Sequence, residues 1–146
     1  MSSLMIASMD IRAVRPRVFL YPLGVWVLMA VLAVLNGGLR EVVLIPRVGA
    51  YPGHVLSTAV LTTVILVLSF LYFTNTPIAY LPVELLLVGT LWTALTVGFE
   101  FLVGYLEGTP VAVTLAQYNV FAGQVWILVP LVLFCSPLVF GWYLTN

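Results

Sequence analysis

Four long apolar runs, separated by short polar punctuation, constrain this chain more than any other feature. A helix of ~20 residues, rising 1.5 Å per residue, crosses the hydrocarbon core of a bilayer. The runs fall at about 18–41, 54–73, 83–106 and 125–144. Hydrophobic residues make up 63% of the 146 and charged residues 7%, whereas a soluble domain is roughly a quarter charged. The polar coat is missing, so the outer face must meet lipid. The fold expected is all-α: a polytopic membrane protein whose residues 1–146 form one transmembrane domain of four helices, after a polar segment 1–17.

The first run is longer than the ~7–15 residues of a signal-peptide core, and no Ala-x-Ala follows it, which predicts a retained helix. It should stop before Pro46, because the residue preceding a proline avoids helix. Residues 46–53 (PRVGAYPG) read as a loop, with two prolines and two glycines in eight positions. Residues 74–82 read as a short turn, and Glu84 suits the positive end of the third helix's dipole. Thr109 as N-cap and Pro110 at the first helical position announce a further helix, through about Phe121. Carrying Thr114, Gln117, Tyr118 and Asn119, it is too short to span and too polar to lie in lipid. It is predicted to be an interfacial or re-entrant helix closed by Gly123. In the fourth run, Pro130 and Pro137 predict kinks, and Trp126, Trp142 and Tyr143 stand where interface anchors belong.

Absences exclude whole function classes. There is no lysine, hence no Schiff base. Cys135 is the only cysteine, which rules out an intramolecular disulfide or a dithiol relay within one chain. His54 is the only histidine, so one chain cannot supply two imidazoles to a haem, nor a His-rich metal site. A formal net charge of zero argues against a nucleic-acid partner. No catalytic set, metal or cofactor is predicted; the partners expected are membrane lipid and other membrane helices, or further copies of this chain.

Arg12, Arg15 and Arg17 place the N-terminus in the cytoplasm by the positive-inside rule, and four spans return the C-terminus to the same side. At the opposite side the polar residues gather: Arg40, Glu41, Arg47, His54, Glu100, Tyr118 and Asn119, with Glu107 beside them. Along the third helix, Gly89, Thr93, Thr96, Glu100 and Glu107 fall on one side, at spacings of 4, 3, 4 and 7. Small and hydroxyl residues let helices approach closely in lipid. The first helix offers a matching strip, Ala30, Ala33, Gly37 and Glu41, so helices one and three are predicted to touch. An ionisable group at a helix centre costs ~2.5–3.5 kcal/mol on insertion scales, less near the interface. Glu100 is therefore either half of an ion pair with Arg40 or Arg47, or a carboxylate that handles protons or cations.

Five strings carry a resemblance: Asn36-Gly37-x-x-Arg40-Glu41, Pro46-Arg47-x-Gly49, His54-x-x-Ser57-Thr58, Trp92-x-x-x-Thr96-x-x-Phe99-Glu100-Phe101 and Tyr118-Asn119-x-x-x-Gly123-x-x-Trp126. Together, over about residues 24–130, the chain resembles a group of small, largely uncharacterised four-helix prokaryotic membrane proteins. The resemblance implies the architecture, a prokaryotic inner or plasma membrane, and the polar cluster, but no reaction. That group is expected to carry an acid at the position of Gln117 and an arginine at that of Gln124, so a charge pair would here be neutral.

Three functions compete. The first is an accessory or structural subunit packed beside other membrane helices, since chemistry-bearing residues are few. The second is an oligomeric transporter or channel for small ions or solutes, using Glu100. The third is an intramembrane enzyme, for which His54 with Glu41, Glu100 or Tyr118 is a thin acid–base set. The fourth helix, almost without polar side chains, is predicted to lie at the periphery.

Overall fold

The structure, a computed structural model, describes residues 14–116, 118–119 and 125–143, and every regular element among them is helical. The readings placed on Arg12, Gln117, Phe121, Gly123, Gln124 and Leu144 lie outside the described residues. Helix α1 is Leu20–Leu39, α2 Ala50–Asn75, α3 Pro82–Leu106, α4 Val111–Ala116 and α5 Leu128–Leu138. Short turns lengthen two of them: Pro16–Phe19 leads into α1, Arg40–Leu44 and Ile45–Val48 continue it, and Val139–Tyr143 continues α5. Among the described residues, three continuous stretches are long and apolar enough to cross a membrane: Pro16–Val48, Ala50–Asn75 and Pro82–Leu106. The fourth apolar stretch, Leu128–Tyr143, is shorter.

Two boundaries differ from expectation, for one reason each. The first helix does not stop before Pro46. Its backbone widens into a π turn at Arg40–Leu44, where the Ile45 N–H reaches the Arg40 carbonyl. A proline ring clashes with the carbonyl four residues earlier, and a widened turn relieves that clash. The loop expected at 46–53 shrinks to one residue. Gly49, at φ 96°, reverses the chain alone, and α2 begins at Ala50 rather than His54. Pro52 then falls in the first turn of α2, where a missing N–H leaves no hydrogen bond unmade.

The end of α3 is closed by reciprocal bonds. Gly108 N–H donates to the Tyr105 carbonyl, and Thr109 N–H donates to that of Gly104. This is the paired C-terminal pattern that a glycine beyond the cap permits. Pro110 follows and accepts the first bonds of α4 from the Val113 and Thr114 N–H groups, so the start signal at Thr109-Pro110 works nearly as written. The helix it opens ends at Ala116, short of Phe121.

The neighbours of α3 bear out its contact with α1, through Trp26 on Thr96 and Trp92 on Pro22, but correct which helix meets the glycine end of the stripe. A Cβ placed on Gly89 would stand 2.3 Å from the Phe134 carbonyl oxygen, so α5, not α1, lies against the small-residue stripe at this level. Thr93 Oγ1 extends the seam toward the Pro130 carbonyl at 3.4 Å. Helix α5 is thus central rather than peripheral: Val129 and Leu133 are almost wholly buried, and the helix packs against both α2 and α3. Periodicity singles out the face of α3 correctly, but cannot say which helix meets it. Helix α1 packs instead on α2, where Asn36 Nδ2 donates to Ser57 Oγ at 2.8 Å and to the Ser57 carbonyl at 3.1 Å.

At the end where α1 begins, a polar knot ties the N-terminal segment to the turn between α2 and α3. The Arg15 guanidinium donates to both carboxylate oxygens of Glu84, at 2.7 and 3.1 Å, and to the Ala79 carbonyl at 2.8 Å. Glu84 is 0% exposed and also accepts from the Leu81 N–H at 2.9 Å. Its role in the first turn of α3 therefore goes beyond the helix dipole. The carboxylate raises the Arg15 guanidinium above its ordinary pKa, chiefly through this hydrogen bond, and burial opposes the shift. The Tyr80 hydroxyl donates to the Val18 carbonyl at 2.9 Å, and two indole bonds join α1 to α3 nearby: Trp92 to the Pro22 carbonyl at 2.8 Å and Trp26 to Thr96 Oγ1 at 2.9 Å.

The seam between α3 and α5 sets a prediction. Gly89→Ala should destabilise the protein by about 1–3 kcal/mol, since an added carbon meets backbone that cannot step aside. Thr90→Ala, one residue away on an exposed face, should stay within about 0.5 kcal/mol of the parent. Thermal or denaturant unfolding in mild detergent measures both.

Candidate functional site

Because α5 occupies the Gly89 face of α3 and α1 leans on α2, α1 and α3 diverge away from the indole bonds that join them. The space between them is a cavity of about 520 Å³. Helix α1 lines it from Trp26 to Glu41, α3 from Thr96 to Glu107, and Leu61, Ile65, Val129 and Leu133 of α2 and α5 form its back wall. Most of that surface is apolar.

The polar end is built around Glu100. It lies six residues before Leu106, so its carboxylate sits ~9 Å inside the end of α3. Tyr118 donates its hydroxyl to one carboxylate oxygen, and Trp126 Nε1 donates to the other at 2.8 Å. Burial, then the hydrogen bond to Glu100, push the Tyr118 phenol above its ordinary pKa, so it stays protonated and donates. Trp126 is the hub of the site. The Arg40 guanidinium stands 6.0 Å from its ring centroid and the His54 ring 5.7 Å away, while its N–H holds Glu100.

The ion pair expected for Glu100 is not formed. Among the described residues the cations pair elsewhere: Arg15 with Glu84, and Arg40 with Glu41 at 3.4 Å. Arg40 is drawn to the neighbouring exposed carboxylate and to the indole face, and the bulk of Trp126 fills the place where a guanidinium would have met Glu100. Arg47 is exposed on the last turn before Gly49 and takes no part in the site. Asn119 is likewise exposed, with its backbone N–H bonded to the Ala116 carbonyl. Of the residues singled out by sequence, Glu100 and Tyr118 are in contact, Arg40 and His54 reach them through Trp126, and Glu41 stands at the rim.

Sequence reasoning placed Trp126 among the interface anchors, yet the residue is 7% exposed and points its N–H inward. A tryptophan near the end of an apolar run satisfies both descriptions. The one available hint was its place in the same string as Tyr118. Asn36 also lines the cavity, and its Oδ1, like His54 Nε2, is buried without a hydrogen-bond partner. No group of three or more His, Cys, Asp or Glu side chains converges as a metal site among the described residues. Comparison with family models, curated proteins and solved structures finds no match to this chain.

The geometry sets a coupling prediction. A double-mutant cycle between Glu100→Gln and Trp126→Phe should show an interaction energy of about 0.5–3 kcal/mol in unfolding, as for other groups in direct contact. The cycle between Glu100→Gln and Arg47→Gln should show none. Coupling to Arg47 instead would restore the ion pair the sequence suggested.

Proposed function

We propose that this chain is a four-span membrane protein that binds a single-chain amphipathic molecule drawn from the bilayer, in the cavity between α1 and α3. The observation that carries this reading is the shape and lining of that cavity. From Trp26 to Glu41 its wall on α1 covers about 15 residues, or ~22 Å along the helix. A single extended chain fits, with its apolar length beside α1 and its polar head at the level of Glu100. Cavities of ~300–1,000 Å³ with a few polar groups on an apolar wall are the usual form of a small-molecule site.

In this reading Leu128–Tyr143 is the fourth span, tilted or locally thinning the bilayer to match its length. Helix α4 lies at the interface, and both termini are cytoplasmic. The subunit role remains the second reading. It is favoured by the outward face of α1, where Leu20, Val31, Val34 and Leu35 are all more than half exposed. A partner helix would pack on that face and not in the cavity, so the two roles are compatible.

Purification in mild detergent, followed by solvent extraction and mass spectrometry, should yield an amphipathic molecule in near-stoichiometric amount. Ala33→Trp, which builds an indole into the cavity wall, should fold and retain at least tenfold less of it. Equal retention by the variant would place the bound molecule elsewhere and return the subunit role to first place.

Topology is tested separately. Single cysteines at Ser3, Ala50, Thr76 and Glu107, in a Cys135→Ser background, should react with an impermeant thiol reagent in two sets. Ser3 and Thr76 should label from the cytoplasmic side, and Ala50 and Glu107 from the other. Labelling of Ser3 and Ala50 from one side would rule out α1 as a span.

A further inference from the structure

The polar end of the cavity has a chemical bias that narrows what it can hold. Three carboxylates line it, Glu41, Glu100 and Glu107, against one cation, Arg40, which already pairs with Glu41. Its indole donors are engaged: Trp26 on Thr96, and Trp126 on Glu100. Glu100 lies ~9 Å inside the helix end with two neutral donors and no cation in contact among the described residues. Neutral donors orient a carboxylate but do not neutralise it. An anionic head would meet carboxylates that outnumber the cation three to one, and a neutral head would leave Glu100 with no cation in contact among the described residues.

We propose that the cavity selects amphiphiles with an ammonium head, primary or alkylated, and that Glu100 is the counter-ion that binds it. The proposal rests on the reading of the cavity as a single-chain site and adds the charge of the head. The ammonium group would stand against the Glu100 carboxylate, which offers it an opposite charge at the polar end of an otherwise largely apolar cavity. Its chain would run along α1 toward Trp26. Two sources share this chemistry, the ethanolamine head of a single-chain lysolipid and a free alkylamine.

The test uses the full-length protein in vesicles of neutral digalactosyl diacylglycerol, which carries no ammonium group, and reads quenching of the cavity tryptophans by dodecyl chains that carry a nitroxide. Three heads are compared on the same chain: trimethylammonium, sulfate and a neutral maltoside. The expected result is a dissociation constant at least tenfold lower for the ammonium probe than for the maltoside, with the sulfate weakest. Glu100→Gln should bring the ammonium probe to within threefold of the maltoside while the maltoside still binds. Equal binding of all three heads by the parent protein would overturn the charge selection and leave the cavity reading standing. No saturable quenching by any probe would overturn both. Preference for the sulfate would invert the proposal and assign the site to Arg40. Because the comparison of heads is made on the parent protein, it holds even if the variant folds poorly. Adding lysophosphatidylethanolamine to the vesicles then separates the sources. Competition with the ammonium probe identifies the lipid as a ligand, and no competition assigns the site to free alkylamines.

Discussion

The Phe134 carbonyl stands where a side chain at residue 89 would begin, and the rest of the molecule follows from that contact. In lipid the association of helices relies on close packing and on polar contacts between them, since the tails are as apolar as leucine. The Gly89–Thr93 stretch of α3 is where backbones can come closest, and α5 takes it. Once α5 is seated there, α1 cannot be. It settles on α2, held by the Asn36–Ser57 bonds, and reaches α3 only through Trp26 and Trp92. Beyond those indoles α1 and α3 line opposite walls of the cavity, and the short α4 meets α3 near Gly104. The cavity is the consequence of one seam being better than another.

The two ends of the bundle are organised on opposite principles. At the end near Arg15 the polar groups find complements inside the chain. Glu84 accepts from the Arg15 side chain, the Arg15 backbone and the Leu81 backbone, and a tyrosine pair, Tyr72 and Tyr80, bridges toward Val18. Such a knot fixes where α1 and α3 start. At the other end Glu100 is held by neutral donors, the nearest guanidinium is turned to an exposed carboxylate, and Asn36 and His54 each keep a buried atom unmatched. Buried polar groups are almost always satisfied. The Arg15 end fixes the fold through a matched ion pair, whereas at the cavity end the Glu100 carboxylate is held by neutral donors.

How much of this could be read from the residues differs from element to element. The spans of α1, α2 and α3 are legible because apolar length is a direct requirement of the bilayer, and Glu100 draws attention because charge is costly there. The stripe through Gly89 and Thr93 is legible as a contact face, but not its partner, because periodicity describes one helix at a time. The reversal at Gly49 was hidden in a string whose two prolines suggested a longer loop. Pro52 lies in the first turn of α2, where it is tolerated, and Pro46 is accommodated by the widened turn before it. Trp126 was hidden for a different reason: an indole suits an interface and a buried hydrogen bond equally, and only the fold brings its N–H to Glu100. The Arg15–Glu84 pair spans 69 residues, and no local pattern announces a contact at such separation.

The divergence of α1 from α3 beside the α3–α5 seam is tested most directly by disulfide mapping in native membranes, with Cys135→Ser as the parent. Cysteines bridge only when their Cα atoms come within ~4.4–6.8 Å. Thr93→Cys with Pro130→Cys, across the seam, should cross-link readily under mild oxidation. Gly37→Cys with Val103→Cys, on opposite walls of the cavity, should stay reduced. Efficient cross-linking of Gly37→Cys with Val103→Cys, with none across the seam, would mean that α1 closes on α3 and that the cavity does not exist.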